Sequence, residues 1–312
     1  MAQDLQSGRF LPFASFDGAT NMAIDEAILE CHLQGLVPAT LRLYGFAPPA
    51  VSIGHGQRLE AKTVRFIESK GFTVVRRPTG GRAVLHLNDL TYSFICSSKN
   101  ESGKSVSAQG SDEPSASSSR SLQVTANGDS LQKHTTGVVA PVSPVPNALV
   151  SQSVAEAYRQ ICRGLIAALA QLDVELELGA SKANYRHSKD CFAVTTAADL
   201  HYQGKKLVGS AQLRRKNAVL QHGSLILNQP QGLMSELLGG TDLVGPELNG
   251  AAVRHANLVE LVGQELSMAK LQQAFLKGFE EAFALKFQVA ELTTVERQLV
   301  GNLREKYEVA PS

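Results

Sequence analysis

The residues of this chain whose types and spacing suit them to chemistry fall into two clusters. The first, Arg76-Arg77-Pro78-Thr79-Gly80-Gly81-Arg82-Ala83-Val84-Leu85-His86, sets arginines, a paired glycine and a histidine in one turn between two strand-like runs. Adjacent glycines carry no Cβ and tolerate positive φ, so an acyl chain or a phosphate can lie directly on their backbone and meet its N–H groups. Arg77 and Arg82 are placed to hold an anion beside it. The plainer alternative is a hairpin whose glycines only satisfy turn geometry.

The second cluster is spread over three short stretches. Cys191 follows His187-Ser188-Lys189-Asp190 and precedes Phe192; Gly204-Lys205-Lys206-Leu207-Val208-Gly209-Ser210-Ala211-Gln212 follows, and then Gln221-His222-Gly223-Ser224. A strand carrying Gly209, Ser210 and Ala211 has little side-chain volume, which lets a ligand approach its backbone. Lys206, three residues earlier, reaches toward a carboxylate, phosphate or thiolate placed there. Nearby cations lower a thiol pKa and favour the thiolate, which suits Cys191 to acyl transfer through a thioester, though a structural cysteine is an equal reading. Cys31, Cys96 and Cys162 fall within apolar patterns and read as small buried hydrophobes. His86 and His222 are suited to general acid/base work or to bonding a strand end. No carboxylate or further histidine falls at ligand spacing from them, and no metal is expected.

These groups need a scaffold, and the hydrophobic pattern supplies one. The stretch from Asn21 to Leu33 reads as an amphipathic helix capped by Thr20 or Asn21, Leu41–Tyr44 and Ala50–Ile53 as strands, and Glu60–Lys70 as a helix. Phe72–Val75 and Leu90–Cys96 are strand-like, Ser151–Leu172 is helical, and Leu207–Leu213, Val219–Gln221 and Ser224–Leu227 are strands. Leu271–Phe283 and Thr294–Tyr307 are again helical. The expected class is α+β, a mixed, mostly antiparallel sheet flanked by helices. A catalytic domain is expected over 10–97 and 147–257, with a helical C-terminal segment over 258–312 packed on it. Between them, residues 98–146 are rich in serine and proline, and 97–121 contains no Leu, Ile, Phe or Tyr, so this stretch reads as a disordered insertion.

With 312 residues, 43% of them hydrophobic, the chain can bury a large core. Thirty basic residues against 29 acidic ones give a net charge of +1, which offers no field for nucleic acid or a membrane surface. No apolar run approaches the roughly 20 residues of a membrane span. Neither a secretory signal nor a CxxC pair is present, so a reducing cytoplasm is the expected compartment.

Together, Asn21-Met22-Ala23-Ile24-Asp25-Glu26-Ala27, the Arg76–His86 loop, Gly204–Gln212 and Gln221-His222-Gly223-Ser224-Leu225 resemble the biotin/lipoate protein ligase superfamily, on its lipoate and octanoate side. Within it the chain is most similar to cysteine-dependent octanoyltransferases, whose nucleophile precedes a phenylalanine as Cys191 precedes Phe192. That resemblance implies a ping-pong route in lipoate biosynthesis. Cys191 takes octanoyl from acyl carrier protein, and a lysine of a lipoyl domain, in glycine cleavage H protein or a dehydrogenase E2, takes it from the enzyme. It implies that Lys206 orients the acyl carbonyl and the amine. Arg77, Thr79, Gly80, Gly81, Ala83 and His86 would line the acyl pocket from one side, and Gly209, Ser210, Ala211 and His222 from the other. No cofactor is then needed. The alternatives within the superfamily are a lipoate–protein ligase, which would use ATP and Mg to form an acyl-adenylate, and an amidotransferase moving octanoyl between lipoyl domains. Residues 193–199, Ala-Val-Thr-Thr-Ala-Ala-Asp, and the serine-rich insertion depart from the octanoyltransferase pattern.

Overall fold

The computed structural model describes residues 6–99, 148–179, 199–239 and 255–309. Its strands in chain order are β1 (Gln6–Phe16), β2 (Thr40–Phe46), β3 (Ala50–Ile53), β4 (Thr73–Arg76), β5 (Val84–His86), β6 (Asp89–Ser97), β7 (Glu177–Leu178), β8 (Leu200–Tyr202), β9 (Lys205–Arg215), β10 (Ala218–Ile226) and β11 (Leu285–Val289). The helices are α1 (Gly18–Leu33), α2 (Ala61–Ser69), α3 (Val154–Ala170), α4 (Leu233–Leu237), α5 (Leu258–Val262), α6 (Met268–Phe283) and α7 (Thr294–Leu303), the last running into a 3₁₀ turn at Arg304–Tyr307.

Eight strands form one sheet in the order β11-β1-β2-β6-β10-β9-β8-β7, and β4-β3-β5 form a second, smaller one. Only the β11–β1 and β1–β2 pairs of the large sheet are parallel; the others are antiparallel. The architecture is α+β, as the alternating runs predict. β1 was not legible: its period is interrupted at Pro12, and the register with β2 shifts between Leu11 and Ala14, where a residue without an N–H cannot continue the ladder. Through β11 the C-terminal segment adds a strand as well as helices.

One face of the large sheet carries Leu41, Leu43, Tyr92, Phe94 and Leu225 against α3 and α6. These two helices touch backbone to backbone, since a methyl group on Gly278 would sit 2.3 Å from Ala168 N. The other face meets α1 through Ile24, Ile28, Ile95 and Leu220. α1 is buried nearly all round, which hides any single amphipathic stripe. Its cap is Asp17, one turn earlier than expected, because that carboxylate accepts the N–H of Thr20 at 3.0 Å. The small sheet has its own core of Val51, Ile53, Val74 and Leu85 beneath α2 and α4. No helix among the described residues is long and apolar enough to cross a membrane.

Candidate active site

β4 and β5 are joined by the glycine turn, and its shape is held from within. The buried Arg77 guanidinium donates to the carbonyls of Ser52 (3.0 Å), Gly80 (2.9 Å) and Arg82 (2.6 Å). Arg77 therefore knits the loop together where an anion contact was expected. Arg76 ties the loop to the strand before it, donating to the carbonyls of Gly54, His55 and Gln57. Gly81 has φ +95°, a conformation open to glycine, and its carbonyl rests on Gly54, where an added methyl group would lie 2.0 Å from that oxygen. Gly80 is exposed, with open space where a side chain would project. Ala83 points instead into the small-sheet core.

Thr79 links this loop to the large sheet. Its Oγ1 lies 2.7 Å from His222 Nε2, and His222 Nδ1 lies 3.1 Å from Asp25 Oδ2. Asp25 also accepts from Arg42 Nη1 (2.7 Å), Tyr44 OH (2.9 Å) and Ser93 Oγ (2.9 Å). Burial pushes the Asp25 pKa upward, but Arg42 and His222 outweigh it and leave the carboxyl below its ordinary value. Burial also dominates at His222, holding the imidazole below its ordinary pKa against the pull of Asp25. A carboxylate only accepts, so neutral His222 carries its proton on Nδ1, and Nε2 accepts the hydroxyl proton of Thr79. The lone pairs of Thr79 Oγ1 remain for a donor.

His86 is fully engaged in the fold. Its Nδ1 donates to Asp89 Oδ2 (2.8 Å), its Nε2 accepts from Ser52 Oγ (2.9 Å), and its ring stacks on Phe46 with centroids 3.8 Å apart. Ser224 Oγ donates to the same Asp89 oxygen at 2.6 Å, which joins the small sheet to β10.

Register decides which β9 residues face the loop. Ala211 pairs with His222 and Ser210 with Gly223, so Ala211 and Gly209 share the face on which His222 meets Thr79. Ser210 points to the opposite face, where it bonds Tyr92 OH at 2.8 Å. The space left by Gly223 on that side is filled, since a methyl group there would lie 2.5 Å from Ser210 Oγ and 2.8 Å from Tyr92. Gly209 and Ala211 thus stand on the face of β9 that His222 and Thr79 share, and Ser210 does not. At the far end of β9, Lys206 is buried and its Nζ lies 2.8 Å from Asp199 Oδ1.

Three of the four cysteines are buried thiols, as their patterns predict. Burial pushes Cys31 up to about 11 and Cys162 up to about 12, and raises Cys96 further. None is poised as a thiolate. Cys191 lies outside the described residues, as does the serine-rich insertion beyond Lys99. Two stem residues of that insertion are placed: Lys99 N donates to Val150 O at 2.9 Å, and Leu149 N to Ser97 O at 2.9 Å, so its ends are pinned side by side.

Three residues that shape these contacts, Asp25, Asp199 and Gly54, lie outside the two clusters of candidate residues. A carboxylate at the centre of an apolar helix, as Asp25 is, carries a signal, because burying it requires partners.

Comparison with known proteins places these features in context. The model of the lipoyl protein ligase A/B catalytic domain matches residues 17–140 and 134–280. The chain is 34% identical to the octanoyltransferase LipM of Kyrpidia tusciae, over 97% of both chains. It is 32% identical to the octanoyltransferase LipM of Carboxydothermus hydrogenoformans, again over 97% of both. Among solved structures, a lipoate-protein ligase A bound with ATP superposes with a TM-score of 0.66 at 21% identity, covering 96% of this chain and 95% of that one. A bipartite lipoate protein ligase of Thermoplasma acidophilum, described with its E2 lipoyl domain, gives 0.64 at 20% identity over 96% and 93%. At such identities these two show the fold alone.

Proposed function

The chain belongs to the lipoyl protein ligase A/B catalytic-domain family, and from that premise we propose that it is an octanoyltransferase of protein lipoylation, moving octanoyl from acyl carrier protein through a Cys191 thioester to a lysine of a lipoyl domain. The observation that carries this reading is the 34% identity to an octanoyltransferase across 97% of both chains. That such relatives act on octanoyl groups makes the enzyme an acyltransferase; the donor, the nucleophile and the acceptor are the finer parts of the proposal.

In this reading the acyl chain lies between the open face of Gly80 and the Gly209–Ala211 backbone, where side-chain volume is small and each CH₂ removed from water contributes about 0.8 kcal/mol. The raised thiols of Cys31, Cys96 and Cys162 make them poor nucleophiles, which supports Cys191 in that role. In the first half-reaction the Cys191 thiolate adds to the donor carbonyl carbon and the carrier thiolate leaves. In the second, the acceptor amine adds to the same carbon, the Cys191 thiolate leaves, and the nitrogen gives up one proton to solvent. Exchange between thioesters is nearly isoenergetic and amide formation runs downhill, so no ATP is consumed. The chain of Asp25, His222 and Thr79 fixes the loop above the groove, and Lys206 meets the reacting carbonyl.

The test supplies purified protein and a lipoyl domain either with octanoyl-acyl carrier protein or with octanoate, ATP and Mg. Octanoylation with the carrier donor alone is expected. Modification only in the presence of ATP and free acid would instead identify a ligase, and transfer only from an octanoylated lipoyl domain would identify an amidotransferase.

A further inference from the structure

Lys206 and Asp199 form an ion pair with side chains only 3% and 2% exposed. They are brought together by the β8–β9 hairpin. Its turn runs through Gln203 and Gly204, both at positive φ, and the register slips between Leu200 and His201, so that Lys206 falls opposite His201. Such burial is not explained by stability, because a buried ion pair commonly holds a fold no better than apolar residues of the same volume. A buried lysine left without a carboxylate would instead tend to lose its proton.

Building on the acyl-transfer reading above, we infer that Asp199 is a positioning residue that keeps Lys206 an ammonium and aims it at the acyl carbonyl, so that Lys206 serves as a hydrogen-bond donor to the developing oxyanion and not as a base. As the thiolate or the amine adds, the carbonyl π electrons move onto oxygen, where a fixed cation is worth most in a site closed to water. When the carbonyl re-forms, the leaving thiolate takes its bonding pair and the proton on Lys206 stays where it was.

Among the described residues, titratable groups that interact with the pair are His201 on β8, Glu177 on β7, and Tyr158 and Cys162 on α3. Burial opposes charge on His201, Tyr158 and Cys162, and all three face the pair as neutral dipoles. Glu177 pairs with His201 across the strands and is exposed. Among the described residues, Asp199 is a carboxylate in direct contact with the ammonium.

The experiment is a single-turnover assay of Cys191 acylation by octanoyl-acyl carrier protein, followed by intact mass from about pH 6 to about pH 10, a range that spans the ordinary lysine value. It compares the natural chain with Asp199→Asn and Asp199→Glu, each checked for folding by circular dichroism. In Asp199→Asn the ammonium loses the negative charge 2.8 Å from it, and the alkaline limb of the rate profile is expected to move down by about one to three pH units. Asp199→Glu keeps the charge and displaces the ammonium by one methylene, so its limb should stay in place while its rate falls by about tenfold or more. An unshifted limb in Asp199→Asn would overturn the inference. So would a shifted limb in Asp199→Glu, which decides the matter alone if the Asn variant does not fold. Absence of any Cys191 adduct in the natural chain is a different result: it overturns the acyl-transfer reading, and this inference with it.

Discussion

Substituting Gly54 by alanine probes the glycine loop from below. An alanine methyl group there would lie 2.0 Å from Gly81 O and 2.9 Å from Gly81 C, whereas real Cβ atoms essentially never come within 3.0 Å of another heavy atom. Both near neighbours are backbone, so no side chain can swing aside. The Gly81–Arg82 peptide must therefore retreat by about 1 Å, a displacement that costs on the order of 10²-fold when it misplaces a reacting group. The same retreat strains the bond from His55 N to Thr79 O (2.9 Å) and those from Arg77 to Gly80 O (2.9 and 3.2 Å). The expected outcome for Gly54→Ala is a kcat/KM for octanoyl transfer about 10²-fold lower, equivalent to about 2.7 kcal/mol of transition-state stabilisation. The global fold should lose only the about 1–3 kcal/mol typical of overpacking. Steady-state kinetics with octanoyl-acyl carrier protein and chemical denaturation measure the two quantities separately. A variant whose kcat/KM stays within about twofold of the natural chain would refute the reasoning, because the groove would then not depend on where this loop sits.

Four other outcomes follow. Thr79→Val keeps the side-chain shape but leaves His222 Nε2 without its donor, at a cost of about 1–3 kcal/mol of stability that urea denaturation would read. Asp25→Asn removes the counter-charge of buried Arg42 and is expected to cost about 3–5 kcal/mol, seen as a lower melting temperature. His32 and His222 both have lowered pKa values through burial, so their contribution is fully present above the unfolded value of about 6.5 and is lost as pH falls through the folded values; the urea midpoint should drop between about pH 7.5 and about pH 5.5, and equal midpoints would contradict this. Replacing 102–145 by a short glycine-serine linker should leave the melting temperature unchanged or raised, since the stem at Ser97–Lys99 and Leu149–Val150 is already closed and a shorter loop costs less entropy to close.

Period and punctuation made much of this fold legible. β4, β6 and helices α3 and α6 announce themselves through β-branched or alternating residues or a 3.6-residue stripe, whereas β5, the strand that follows the glycine loop at Val84–His86, is too short to show a period and falls within what the sequence presents as the loop. β1 did not announce itself, because Pro12 breaks its ladder, and β11 did not, because five residues of LKFQV following a helix give too short a pattern. Candidate site residues stand out most where several unusual residues lie close in sequence, as in the Arg76–His86 loop. They stand out less where side-chain direction decides. Ser210 belongs to the right strand but the opposite face, Ala83 fills a core, and Arg77 and His86 hold the protein's own groups. Asp25 and Asp199 lie outside the two clusters for another reason: each acquires its role from a partner distant in sequence or across a hairpin, His222 and Lys206 respectively, and spacing alone does not reveal such pairs.

The central claim is that one thiol carries the acyl group. It is tested most directly by mixing the protein with octanoyl-acyl carrier protein in the absence of acceptor, weighing the intact chain, and mapping the adduct by peptide mass. The account predicts a single added octanoyl group on Cys191 in the natural chain and none in a folded Cys191→Ala variant. An octanoyl group found on Cys31, Cys96 or Cys162, or full transfer activity in Cys191→Ala, would contradict it.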